Sequence, residues 1–128
     1  MEFCLECLTH LEQSIKNPLL LTLLISIAFD VIIGTLKAFS IGSANSSISK
    51  NGITKHIGIV LLVMLVIVIF KPLEMESLIN TVIIFYIASY ILSIIENLTL
   101  LGIPFPQWLK ERFLILRGEN DEIERIKK

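Results

Sequence analysis

The chain is poor in the residues that build active sites, metal centres and nucleic-acid surfaces. It carries two histidines, two cysteines, and 11 Lys and Arg against 12 Asp and Glu, for a formal net charge of −1. Gripping a phosphate backbone needs a surplus of basic groups on one face, so nucleic acid is excluded as a partner. The cysteines form a C-x-x-C, Cys4–Leu5–Glu6–Cys7, with His10 behind it. A structural zinc site wants four ligands, and His56 is expected on the opposite membrane face, so neither metal nor cofactor is expected. The pair reads instead as two small apolar residues on a helix. With one histidine on each side of a bilayer, neither Ser–His–Asp nor Cys–His geometry can be assembled, and no catalytic residue is assigned. The basic leader of a signal peptide is missing too. Glu2, Glu6 and Glu12 stand in its place and no small-residue cleavage site follows, so Met1–Lys16 is expected to be retained.

What the chain has in excess is apolar surface. Its hydrophobic fraction is 54% and its mean hydropathy +0.78, above the roughly 45–50% apolar content of soluble domains. The excess lies in three blocks, Leu19–Phe39, Ile57–Phe70 and Leu78–Ile95, while charge gathers mainly at the chain ends and in the first connection. A helix crosses the hydrocarbon core in about 20 residues. The expected fold is an all-α integral membrane protein with three transmembrane helices, at about 18–39, 53–71 and 77–99, within a region 18–101. Pro18 suits a first helical turn, Pro72 stops the second span, and Gly102 and Pro104 stop the third. Residues 1–17, with Phe3, Leu5, Leu8, Leu11 and Ile15 among polar neighbours, read as an interfacial amphipathic helix. Residues 102–128 read as an interfacial and cytoplasmic tail, charged and partly helical, with Trp108, Lys110 and Arg112 as a headgroup anchor and Leu109, Phe113 and Leu116 on one face.

Lys16 and Lys71 stand alone on one side of the bilayer. Lys37, Lys50, Lys55 and six tail residues (Lys110, Arg112, Arg117, Arg125, Lys127 and Lys128) lie on the other. The excess of basic residues predicts an N-terminus outside and a C-terminus in the cytoplasm. Asn45–Ser46–Ser47 and Asn97–Leu98–Thr99 then match the glycosylation pattern by letter alone, being on the cytoplasmic side. Gly42, Ser43, Asn45, Asn51 and Gly52 read as a turn, and Lys50, Lys55 and His56 are expected among anionic headgroups, His56 solvated there.

Two spans carry polar stripes. At about 100° per residue, Thr22, Ser26, Asp30, Gly34 and Lys37 share a sector of the first span about 120° wide. Tyr86, Ser89, Tyr90, Ser93, Glu96 and Asn97 share a similar sector of the third. The middle span has no equivalent. Small and hydroxyl residues often serve only to pack helix against helix. Asp30 differs, because an ionised group at mid-span costs about 2.5–3.5 kcal/mol on insertion scales and packing does not call for it. It must face a partner helix or water, or be protonated. Lys37 stands about 10.5 Å further along the axis, too far to pair with Asp30, and at the depth of Glu96, so a Lys37–Glu96 contact between spans is expected.

Phe29–Lys37, reading FDVIIGTLK, precedes Asn45–Ser46–Ser47, Gly52 and Lys55; Ser93–Ile94–Ile95–Glu96–Asn97 precedes Leu101–Gly102–Ile103–Pro104 and Pro106. In this order, over roughly Leu20 to Arg117, the motifs resemble the phage holin family that includes the toxin-secretion holins. Gln107 and Trp108 depart from it, standing where more basic residues belong. The resemblance implies a homo-oligomer in the bacterial cytoplasmic membrane that opens lesions at a set time. It also implies a functional link, without direct contact, to a cell-wall-degrading enzyme or toxin released through them. A narrow ion channel or small transporter subunit, and a non-conducting membrane scaffold, are the alternatives. Transporters often show internal repeats and broken helices, and these three dissimilar spans show neither.

Overall fold

A computed structural model describes the backbone of residues 1–42 and 46–128 and the side chains of 1–42 and 52–128. Its elements are α1 (Glu2–Ile15), α2 (Pro18–Ile41), α3 (Ser46–Phe70), α4 (Glu76–Leu100), α5 (Gln107–Arg117) and α6 (Asn120–Lys127). Among the described residues, three helical stretches are long and apolar enough to cross a membrane: Pro18–Ile41, Gly52–Phe70 and Glu76–Leu100. Helices satisfy their backbone polar groups internally, which lipid demands of a lone span.

Local chemistry sets the ends of these helices. Asn17 caps α2, its side-chain oxygen accepting from the Leu19 N–H at 3.0 Å, with Pro18 in the first turn. At the other end Gly42 is left-handed, φ 71°, and its N–H closes on the carbonyls of Ala38 and Phe39. Between α3 and α4 the chain turns within a few residues around Pro72 and a left-handed Glu74, and the Lys71 ammonium meets the Glu76 carboxylate at 2.8 Å. After α4, Gly102 takes φ 84° and Ile103 donates back to the Leu98 carbonyl, so the chain reverses before Pro104 and Pro106 lead into α5.

The central helix is α4. A third of its spanning stretch is buried within the protein, against 11% for α2 and α3, because the backbones of α2 and α3 each lie close to α4 and farther from each other. Since α3 crosses back, α2 and α4 run parallel, and their facing residues keep a constant offset of 63 positions, as at Asn17 with Asn80 and Gly34 with Asn97. Leu23, Val63, Ile67, Ile79, Ile83 and Tyr90 form the core, with Leu11 of α1 packed on it. The outward faces of the spans remain apolar and exposed, as at Leu24, Phe29 and Ile32 of α2 and Leu61 and Leu65 of α3. Hydrocarbon, not water, is the solvent for such faces.

Two local expectations change. The helix of α3 begins at Ser46 and includes Asn51 and Gly52, which the sequence suggested were turn residues. A glycine inside a helix costs about 1 kcal/mol, which the continuous hydrogen bonding of a long helix entering a membrane outweighs. Ser43 and Asn45 lie outside the described residues. In α5 the fully buried side chain is Leu114, while Leu109 and Phe113 are half-buried and Leu116 is exposed. The helix folds back onto α4, and that tertiary contact, not the simple apolar face, chooses its inner side.

Candidate functional site

The polar residues of the spans meet inside the three-helix unit. Ser26 is buried and its hydroxyl donates to the Thr22 carbonyl one turn earlier, at 2.8 Å, so its own helix satisfies it. One turn on, Asp30 turns inward with a side chain only 12% exposed, and its Oδ2 lies 3.9 Å from Nε2 of His56 on α3. The other ring nitrogen, Nδ1, lies 3.0 Å from the Tyr90 hydroxyl on α4, with the two rings 5.5 Å apart and tilted. Each of the three spans thus supplies one polar group to a single cluster. Asp30 Oδ1 is buried and has no hydrogen-bond partner among the described residues.

One to two turns towards the loop, α2 and α4 meet again. A Cβ at Gly34 would lie 3.9 Å from Nδ2 of Asn97, an ordinary van der Waals contact, so the amide faces α2 at this position. On its other side Oδ1 of the same amide accepts from the Lys37 ammonium at 3.0 Å. At the opposite end of the bundle Asn17 donates to Asn80 at 3.4 Å, beside the Lys71–Glu76 pair. Polar contacts therefore fasten α2 to α4 near both ends of their shared face.

Several expected members stand elsewhere. Lys37 is held by Asn97, and Glu96 is exposed, so the anticipated Lys37–Glu96 contact does not form. Consecutive residues on a helix point about 100° apart, and the depth that favours Glu96 is shared by Asn97, which faces α2. Thr22 is exposed and half-buried Ser89 bonds the Phe85 carbonyl of its own helix. Tyr86 packs against the core and on the edge of Phe85, and Ser93 is half-buried. His56, expected to be solvated among headgroups, has a side chain 16% exposed and lies between Asp30 and Tyr90. Sequence reasoning missed it because the charge-free run of the middle span starts at Ile57; the extension of helix upstream of that run was the available signal. Of the turn residues, Ser46 begins α3, Gly52 lies within it, Lys55 is exposed, and Gly102, Pro104 and Pro106 form the reversal before α5. In α5, Trp108 and Arg112 are exposed and Lys110 half-buried.

Among the described residues no three His, Cys, Asp or Glu side chains gather as a metal site. The Asp–His–Tyr cluster can do two things chemically. It can hold helices together by polar contacts worth about 1 kcal/mol each in a membrane, and it can offer a polar lining if the helices part.

Comparison with known proteins places this architecture. The family model described as the bacteriophage holin family matches residues 11–118. An uncharacterized protein of Halalkalibacterium halodurans is 31% identical over 117 residues, covering 87% of this chain and 84% of the relative. Two uncharacterized proteins of Clostridium perfringens are 34% and 38% identical, covering 80% and 79% of this chain and 77% and 78% of their own lengths. One of the two is described as a 14.9 kDa protein in the nagH 3′ region. No solved structure gives a significant match. With three apolar spanning helices and a match over most of its length, the chain is a multi-pass protein of the cytoplasmic membrane and belongs to the bacteriophage holin family.

Proposed function

We propose that the protein accumulates in the bacterial cytoplasmic membrane with its N-terminus outside and its C-terminus in the cytoplasm. At a set time many copies associate into lesions wide enough to pass a folded cell-wall-degrading enzyme or toxin. One observation carries the reading: the protomer keeps a polar face, from Asp30 to Lys37 on α2 and from Tyr90 to Asn97 on α4, turned inward while its outer faces stay apolar. Three helices are too few to surround a wide aqueous channel. The polar faces serve as protein contacts in the compact form and line water when many protomers open together. Timing then reflects a shift between two packings of small free-energy difference, driven by crowding or membrane potential.

Induced expression in bacteria holding a cytoplasmic reporter enzyme tests this. Abrupt, scheduled growth arrest with release of the active reporter is expected. Ion leakage without reporter release would point to a narrow channel, and neither event would point to a scaffold; both results contradict the proposal.

A further inference from the structure

We propose that Asp30, His56 and Tyr90 form a latch inside the membrane whose breaking sets when the protomer opens. The proposal rests on the lesion-forming reading and adds the contact that times it. The argument starts from packing. The backbones of α2 and α3 each approach α4 and hardly approach each other, so side chains alone join the two outer spans: the apolar cluster of Leu23 with Val63 and Ile67 and, apart from it, the polar approach of Asp30 to His56. The Asp30–His56 approach at 3.9 Å bridges that gap, and the His56–Tyr90 contact at 3.0 Å ties the bridge to the central helix.

Charge makes this bridge different from an ordinary packing contact. A carboxylate in hydrocarbon needs a partner, and Asp30 has one oxygen near His56 and the other buried without a hydrogen bond. Among the described residues the other ionisable groups near the cluster are engaged elsewhere or exposed. Lys37 on the same helix is engaged by Asn97, Lys55 beside His56 is exposed, Glu96 on α4 is exposed, and Tyr86 is a turn from Tyr90 and packed on the core. Removing one member of a buried polar pair is far more damaging than removing both, because the survivor keeps its desolvation cost and loses its partner. A purely structural contact has no need of an under-satisfied carboxylate. A latch does, since once the His56 contact parts, Asp30 is better placed in water, and the opened form gains what the closed form loses.

The test compares wild type with His56→Gln, Asp30→Asn, Tyr90→Phe and the double variant D30N/H56Q in the inducible lysis assay, with membrane protein quantified at the moment of lysis. His56→Gln is expected to trigger at roughly two- to tenfold less accumulated protein than wild type, and Tyr90→Phe by a smaller factor in the same direction. The double variant is expected to return towards wild type, lysing later than His56→Gln. Simple misfolding would delay lysis, so its direction distinguishes the two. If a variant fails to accumulate, the same set reconstituted in liposomes is compared for release of an entrapped enzyme per mass of protein, with the same order expected. Single variants that match wild type at equal membrane level, or a double variant whose effect is the sum of the two, would overturn the latch while leaving scheduled lysis by wild type intact. Failure of wild type to release the reporter would overturn the lesion reading as well.

Discussion

Replacing Gly34 by leucine probes the α2–α4 face beside the Lys37–Asn97 bond. A Cβ alone at this position lies 3.9 Å from the Asn97 amide nitrogen, an ordinary van der Waals contact, so Gly34→Ala fits without displacement. Leucine adds three further carbon atoms, and rotamers that turn them towards α4 meet the amide. Overpacking of this kind costs about 1–3 kcal/mol. Moving the Asn97 amide also breaks its 3.0 Å bond with Lys37, worth about 1 kcal/mol more in a membrane. The sum is about 2–4 kcal/mol against the closed packing, a shift of roughly 30- to 1,000-fold in the closed-to-open ratio at 1.4 kcal/mol per tenfold. In the lysis assay Gly34→Leu is expected to trigger well before wild type at matched membrane levels, with Gly34→Ala close to wild type. Identical timing for leucine, alanine and wild type would refute the claim that closeness of these helices restrains opening.

Other outcomes follow from the same contacts. Asp30→Asn is expected to change lysis timing at equal expression, and unchanged timing would remove the carboxylate from the mechanism. Lys37→Glu removes the donor to Asn97 and is not expected to be rescued by Glu96→Lys, because Glu96 is exposed; restored timing in that double reversal would favour a Lys37–Glu96 pair instead. For orientation, a fluorescent protein that matures only in the cytoplasm is expected to fluoresce when fused after Lys128 and to stay dark when fused before Met1, and the reverse pattern would invert the proposed topology.

The three spans were legible because apolar residues are segregated into blocks and charges into connections, and a bilayer leaves a chain of that pattern few choices. Depth was legible for the same reason: counting along each helix placed Asp30 near mid-span and Lys37 near its end. Rotation between helices was not. Glu96 and Asn97 share a depth and differ by about 100° in direction, and only packing on α2 selects the amide. His56 was obscured by a different effect. The expected span of about 53–71 already included it, but the lysine before it suggested a solvated place among headgroups, whereas α3 carries His56 between Asp30 and Tyr90. Leu114 was hidden likewise, since the sequence displays an amphipathic α5 but not the side by which it docks on α4.

The central claim is that the inward polar faces of α2 and α4 must part for a lesion to form. In a background with Cys4 and Cys7 changed to serine, Gly34→Cys with Asn97→Cys places a thiol on each helix at facing positions, since a Cβ at 34 would meet the Asn97 side chain at 3.9 Å, and formation of the cross-link is verified by gel mobility before release is read. Reporter release is measured after oxidation and again after a membrane-permeant reductant is added. The account predicts that oxidised cells retain the reporter and that reduction frees it abruptly. Release on the normal schedule from cells in which the cross-link is fully formed would contradict it.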